Sequence, residues 1–238
     1  MAYGIKLLVW GDYASFNRPE MKVERVTYDV ITPSAARGIL EAIYWKPEMR
    51  WVIDRLHVFN RIRFTHIRRN EIDCKISTPS ITSAIKTGGG RLGIAVERHR
   101  QQRSAMVLKD VRYGIEAHVE IVKPEMKDGQ AIDAPEAKHL RQFKDRAQRG
   151  ACFHHAYLGT REFSADFELV EGFPPCHETL EGERDLGYML HDIVFVPDSK
   201  GKVIESNQGR RLAAEPRFFR ARMCNGTIVV PPLSSGRA

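Results

Sequence analysis

The chain has 238 residues, 42% of them hydrophobic, enough to bury a core in one larger or two small domains and too many for a disordered segment. Its 37 Lys and Arg against 30 Asp and Glu leave a formal net charge of +7, which suits a polyanionic partner such as nucleic acid but also an ordinary solvated surface. Four scattered cysteines (Cys74, Cys152, Cys176, Cys224) form no CxxC pair, no leader pattern opens the sequence and no apolar run reaches membrane-spanning length, so a reducing cytoplasm is expected and secretion or membrane insertion is not.

Residues 4–10 are nearly all apolar and predict a buried strand that stops at Gly11-Asp12. Thr32-Pro33-Ser34 then sets a capping hydroxyl before a proline, a helix start. Ala36, Ile39, Leu40 and Ile43 recur at helical spacing as a buried stripe, with Arg37, Glu41 and Tyr44 on a more exposed side. Pro47 ends this helix, leaving Tyr44, Trp45 and Lys46 in its last turn.

Residues 51–64 alternate β-branched or aromatic with charged side chains and predict a long second strand. Residues 65–112, with Arg63 just before them, carry Arg68, Arg69, Arg91, Arg98, Arg100 and Arg103 around Gly88-Gly89-Gly90, and are expected to form a flexible basic hairpin or extended loop. Clean alternation over residues 113–123 predicts a third strand with Tyr113, Ile115, Ala117, Val119 and Ile121 inward and Gly114, Glu116, His118 and Glu120 on the polar face. A second helix is expected over residues 135–149, with Ala137, Leu140, Phe143 and Ala147 inward and Gly150 closing it, and a fourth strand over residues 151–158.

Strand, helix, strand, strand, helix, strand is the α+β, ferredoxin-like (RRM-like) plan, expected for residues 1–162 with the basic hairpin inserted. Its exposed sheet face is one that RNA-recognition domains use for single strands. From residue 163 the pattern turns to short strands, among them a pair over residues 218–223 and 227–230 joined by the hairpin dipeptide Asn225-Gly226; residues 163–238 are expected to form a small β-sheet domain.

Two motif-like runs carry no chemistry. Lys86-Thr87-Gly88-Gly89-Gly90 lacks the order of a phosphate-binding loop, and Cys152, His154 and His155 with Cys176 and His177 match no zinc spacing. No metal or cofactor is expected.

Gly11-Asp12-Tyr13-Ala14, the run from Gly38 through Ile39, Leu40, Glu41, Ala42, Ile43, Tyr44, Trp45 and Lys46 to Pro47, Tyr113-Gly114-Ile115-Glu116-Ala117-His118, and Leu158-Gly159-Thr160-Arg161-Glu162-Phe163 together resemble the CRISPR-associated Cas-five family of subtype I-C. That resemblance implies an endoribonuclease that trims precursor CRISPR RNA within its repeats without a metal. It also implies that the protein keeps the mature guide RNA as a subunit of the type I-C interference complex, whose other protein subunits are then partners. It further implies a functional tyrosine at Tyr44. Some similar proteins place a lysine near the histidine, where this chain has Glu116 and Ala117.

Metal-free cleavage needs an activated 2′-hydroxyl, a proton donor to the leaving 5′-oxygen and positive charge beside the phosphorane. Histidine serves the first two roles at neutral pH, and Glu116 and Glu120 beside it favour the imidazolium. His118 and Tyr44 are therefore the candidate catalytic residues. By residue pattern alone, Tyr44 reads as a packing aromatic and His118 as a surface histidine paired with a glutamate. The cation is open among Lys46, Lys109, Lys123 and the arginines of the insertion. Arg37, Lys46, Arg63, Arg68, Arg69, Arg91, Arg98, Arg100 and Arg103 are the candidate nucleic-acid contacts, and Trp45 and Tyr13 candidate stacking residues. A purely RNA-holding subunit is the alternative. A metal-dependent DNA nuclease ranks last; it needs converging carboxylates, with Asp12, Glu41, Glu116 and Glu120 as candidates, and a basic groove by itself takes DNA as well as RNA.

Overall fold

The structure, a computed structural model, describes residues 4–21, 23–90, 92–123, 125–127, 130–132, 136–197, 204–205 and 211–233. The chain begins with β1 (Ile5–Ala14), β2 (Arg25–Val26), α1 (Pro33–Ile43), β3 (Met49–Val58) and β4 (Phe64–Ile72). It continues through α2 (Thr78–Thr87), α3 (Val96–His99), β5 (Arg100–Ile121), β6 (Glu125–Lys127), β7 (Gln130–Ile132) and α4 (Glu136–Gln148). The last elements are β8 (Asp166–Leu169), β9 (Glu183–Pro197), β10 (Ile204–Glu205), β11 (Arg211–Cys224) and β12 (Thr227–Val229). This is a mixed α/β fold dominated by an antiparallel sheet.

Four strands stand in the order β3–β5–β1–β8, each antiparallel to its neighbour. The helix α1 connects β1 to β3, and α4 lies between β5 and β8. The expected stripe holds in α1, where Ala36, Ile39, Leu40 and Ile43 are buried and Thr32 caps the first turn through Ala35 N at 3.3 Å. In α4 Leu140, Phe143 and Ala147 are buried as expected, but so is His139, while Ala137 is exposed. Both helices press on one sheet face, where they share a core with Leu7, Val9, Trp51, Ile115, Ala117 and Val119. Trp51 packs edge-on against Phe143, ring centroids 4.8 Å apart. Burial of such side chains contributes about 1.5–3 kcal/mol each and fixes which way the sheet faces.

Three local expectations are corrected. The long second strand divides, because the chain leaves the ladder at Phe59 and Asn60, whose side-chain amide donates to Asp110 O at 2.8 Å. The strand expected over residues 151–158 is a single bridge, Tyr157 to Ser164; Leu158 instead accepts from Ser15 N and donates to Phe163 O across the turn at Gly159, and the sheet edge passes to β8. Tyr44 follows α1 as an extended cap (φ −155°, ψ 126°) and is buried rather than exposed.

The basic insertion is a built hairpin. The first half of β5 pairs with β4 and β2, its second half with β1 and β3, and Asp110 with φ 50° marks the change of partners. The tip carries α2 and α3, neither of which buries a residue. The glycine run after Lys86 begins as a helix stop, with Gly88 in the left-handed conformation at φ 63°. At the other end of the chain, β11 and β12 turn at Asn225-Gly226, both at positive φ as the sequence signal requires, and β12 pairs with β3. The C-terminal hairpins thereby extend the same sheet. No helix among the described residues is long and apolar enough to cross a membrane.

Candidate functional site

The alternation of β5 turns Gly114, Glu116, His118 and Glu120 away from the helices, onto the open sheet face. Opposite them, a β-bulge between Ile53 and Arg55 turns two successive side chains, Asp54 and Arg55, towards that face. Asp54 meets His118, both carboxylate oxygens lying 2.9 Å from Nδ1. The carboxylate selects the tautomer with its proton on Nδ1 and leaves Nε2 free to exchange a proton. That second nitrogen lies 3.9 Å from Glu120 Oε1, and Glu120 is held by Arg50 across the strand pair. With 30% of its side chain exposed, His118 is both oriented and reachable.

Glu116 shares this face but bonds elsewhere. Its Oε1 takes Nε2 of His57 at 3.1 Å, and Nδ1 of His57 sits 3.1 Å from the Thr227 hydroxyl. Burial holds the His57 imidazole below its ordinary pKa, with Glu116 pulling the other way. The neutral ring, donating to Glu116 and accepting from Thr227, satisfies both contacts. Phe173 lies over this end of the face, 4.7 Å from the His57 ring centroid, and occupies the space that a side chain at Gly114 would fill.

Tyr44 lies on the other side of the sheet. Its hydroxyl bonds Gln142 Oε1 at 2.6 Å and His139 Nδ1 at 3.0 Å, both on α4, and its carbonyl accepts from Trp51 Nε1 at 2.9 Å. Trp51 pairs with Val119, one residue beyond His118 in β5, and both point at the helices. The two sequence-predicted catalytic residues are therefore not brought together: His118 is on the open face, Tyr44 in the helix-covered core.

The candidate cations fall into two groups. Arg37 is fixed in a fork to Asp192 (Nε to Oδ2 2.7 Å, Nη2 to Oδ1 2.8 Å) and to Glu41 at 2.6 Å. Burial works against its charge, but these two carboxylates outweigh it and hold its pKa above the ordinary value. Arg63 pairs with Asp110, Arg69 with Glu162 and Glu71, and Arg103 with Glu71. Arg68, Arg98, Arg100 and Lys46 are exposed and make no ion pair with a described residue; Arg91 lies outside the described residues. Lys109 pairs with Tyr13 in the β1–β5 ladder, about 30 Å along β5 from His118. Trp45, 51% exposed, and Tyr13 are both open to solvent, as stacking residues need to be.

Asp54 and Arg50 are the site residues that sequence reasoning missed. The signal for Asp54 was present: two polar residues in succession, Asp54-Arg55, interrupt the period of two and mark the bulge. The four carboxylates weighed for a metal-dependent nuclease do not converge, since Glu41 is on Arg37, Glu116 on His57 and Glu120 on Arg50, while Asp12 is exposed near the end of β1.

Comparison with known proteins follows the same lines. The Cas5d family model, described as CRISPR-associated protein (Cas_Cas5), matches residues 4–231. The chain is 48% identical over 237 residues, 98% of its length and 96% of the relative's, to a protein of Mannheimia succiniciproducens named CRISPR pre-crRNA endoribonuclease Cas5d. It is 42% identical over 236 residues, 95% of its length and 91% of the relative's, to a protein of the same name from Thermus thermophilus. Among solved structures, a functionally uncharacterized protein of Streptococcus mutans, SMU1763c, aligns with TM-score 0.65 at 21% identity, and a CRISPR-associated protein with TM-score 0.64 at 21% identity. Each alignment covers 99% of this chain and 95% of the other, and at this identity the likeness speaks for the fold.

Proposed function

Because this chain belongs to the CRISPR-associated Cas5d family, we propose that it is an endoribonuclease that cleaves precursor CRISPR RNA within the repeat and stays bound to the guide RNA in the antiviral interference complex. The observation that carries this reading is the near full-length identity to relatives that bear the name of that activity. Its partners are the precursor and mature guide RNA and the other protein subunits of the type I-C complex. The four-strand order β3–β5–β1–β8 with two helices on one face supports a ferredoxin-like plan for the first unit. The division at residue 162 is kept as a proposal, with β8 pairing back across it onto β1.

In the proposed reaction no metal takes part. The 2′-hydroxyl attacks the adjacent phosphorus, the bond to the 5′-oxygen breaks, and the products carry a 2′,3′-cyclic phosphate and a 5′-hydroxyl. His118 exchanges the proton through Nε2 while Asp54 holds its other nitrogen. Tyr44 is assigned a positioning part: it ties Trp51 and α4 behind the strand pair that carries His118. Arg68, Arg98, Arg100 and Lys46 offer uncommitted charge to the RNA backbone.

A second reading, a subunit that grips the repeat-derived end without cutting, is favoured by one observation. Glu116 and Ala117 stand where some similar proteins have a lysine near the histidine, Glu116 is committed to His57, and Arg50, which shares Glu120 with His118, is bound to that carboxylate. The deciding experiment incubates the purified protein with its own repeat RNA in excess chelator and records both cleavage and binding. A discrete cut ending in a 2′,3′-cyclic phosphate, lost in His118→Ala while binding survives, supports the nuclease; tight binding of the wild type without a cut replaces it with the RNA-holding subunit.

A further inference from the structure

At the tip of the basic hairpin, Asp73, Cys74 and His99 bring a carboxylate oxygen, a thiol sulfur and an imidazole nitrogen within 4.8 Å of one another. We propose that these three side chains hold a zinc ion that clips together the two ends of the helical excursion between β4 and β5.

The backbone has already closed the site. Asp73 follows the last residue of β4 and His99 precedes the first of β5; Asp73 N donates to His99 O at 3.1 Å, and Nδ1 of His99 lies 2.9 Å from Asp73 Oδ1. Tetrahedral zinc, with bonds of about 2.0–2.3 Å to these donor types, needs ligand atoms about 3.3–3.7 Å apart, so side-chain rotation within the present spread brings three of the four ligands into place. The donor set selects the ion. One carboxylate is too few for calcium, which takes six to eight oxygens, or for magnesium, whereas thiolate, imidazole and carboxylate together suit zinc with water in the fourth position.

The excursion itself gives the reason for a clip. Neither α2 nor α3 buries a residue, and Ile76, Ile81, Ile85, Leu92 and Val96 are all exposed, so the described residues of this stretch form no core of their own. Segments without a core are held by crosslinks or metals, and an ion at the two ends removes the closure entropy of the loop between them. The site is at the opposite end of β5 from His118, so its role is to order the arm and not to cleave RNA. Metal-free cleavage and a zinc-held arm are thus independent and fail separately.

The test uses the full chain, stripped of metal and reduced, titrated with Co²⁺ and then with Zn²⁺. The expected result is one equivalent of cobalt giving a thiolate-to-cobalt charge-transfer band that zinc displaces. The band disappears in Cys74→Ser and in His99→Asn and persists in Cys224→Ser and Cys152→Ser, with circular dichroism showing all variants folded. Zinc also slows tryptic cleavage at Lys75, Lys86 and Arg98 of the wild type by at least about tenfold, equal to about 1.4 kcal/mol of added closure, and leaves Cys74→Ser unprotected. Absence of the band, its survival in Cys74→Ser, or equal proteolysis with and without zinc overturns the proposal.

Discussion

His118 and Asp54 face each other across the β3–β5 ladder on the open side of the sheet, Nδ1 of one 2.9 Å from both carboxylate oxygens of the other. If Asp54 orients the imidazole, Asp54→Asn slows single-turnover cleavage of the repeat RNA by about ten- to a hundredfold and leaves RNA affinity unchanged. Equal rates for the variant and the wild type reject the orienting role.

Tyr44 and His118 should separate by their effects. Tyr44→Phe removes a buried hydroxyl shared with Gln142 and His139 and is expected to cost about 1–2 kcal/mol of stability, visible in urea unfolding, together with a slower cut. His118→Ala, on a part-exposed surface, abolishes the cut with little change in the unfolding midpoint. A Tyr44→Phe protein of full stability that does not cut makes the hydroxyl a catalytic group instead.

His57 gives stability a pH dependence. Burial lowers its folded pKa below the ordinary histidine value, so the unfolded chain takes up a proton at higher pH than the folded one. Stability from this group is present at neutral pH and falls as the pH drops through ~6.5 until the folded value is passed. Thermal midpoints from about pH 7.5 to about pH 5.5 are expected to fall less steeply in His57→Gln than in the wild type.

Two arginines of similar appearance should behave differently. Arg68→Ala removes an uncommitted charge and is expected to lower the slope of log affinity against log salt by about 1, uniformly across RNA sequences. Arg37→Ala leaves Asp192 without its fork and is expected to cost about 2 kcal/mol of stability with the salt slope unchanged. Matched salt titrations and denaturation curves read both.

Gly159 stands at φ 86° with its missing Cβ position 2.1 Å from Ser15 O. Gly159→Ala forces a methyl group against the Ser15 carbonyl and is expected to cost at least about 2 kcal/mol, measured by the same unfolding curves.

Much of this was legible before any coordinates. Helical spacing found α1 and α4, alternation found the second half of β5, and Asn225-Gly226 found the last hairpin, because each signal is local and each face has one side to bury. The first half of β5 was not legible, since its outer end, Arg100–Arg103 paired with Arg69–Ile72, is solvated and its arginines read as a loop, and only Ala105, Val107 and Leu108 further along it are buried. Tyr44 was misjudged for a related reason. Its partners lie on α4, almost a hundred residues away, and nothing in the helix stripe reveals a polar contact of that range. Asp54 shows the opposite case, a broken alternation that carried information.

The pairing of β12 with β3 sets the order of synthesis against the order of assembly. Thr227 lies beside His57, with the hydroxyl of one bonded to the ring of the other across a sequence separation of 170. During translation β3 emerges early, yet one of its edges keeps unpaired backbone donors and acceptors until residues 227–229 arrive. Contacts of such range make folding slow, and the exposed edge invites pairing with other chains in the interval. Overexpression at low temperature or with a chaperone that shields strand edges should therefore raise the soluble yield.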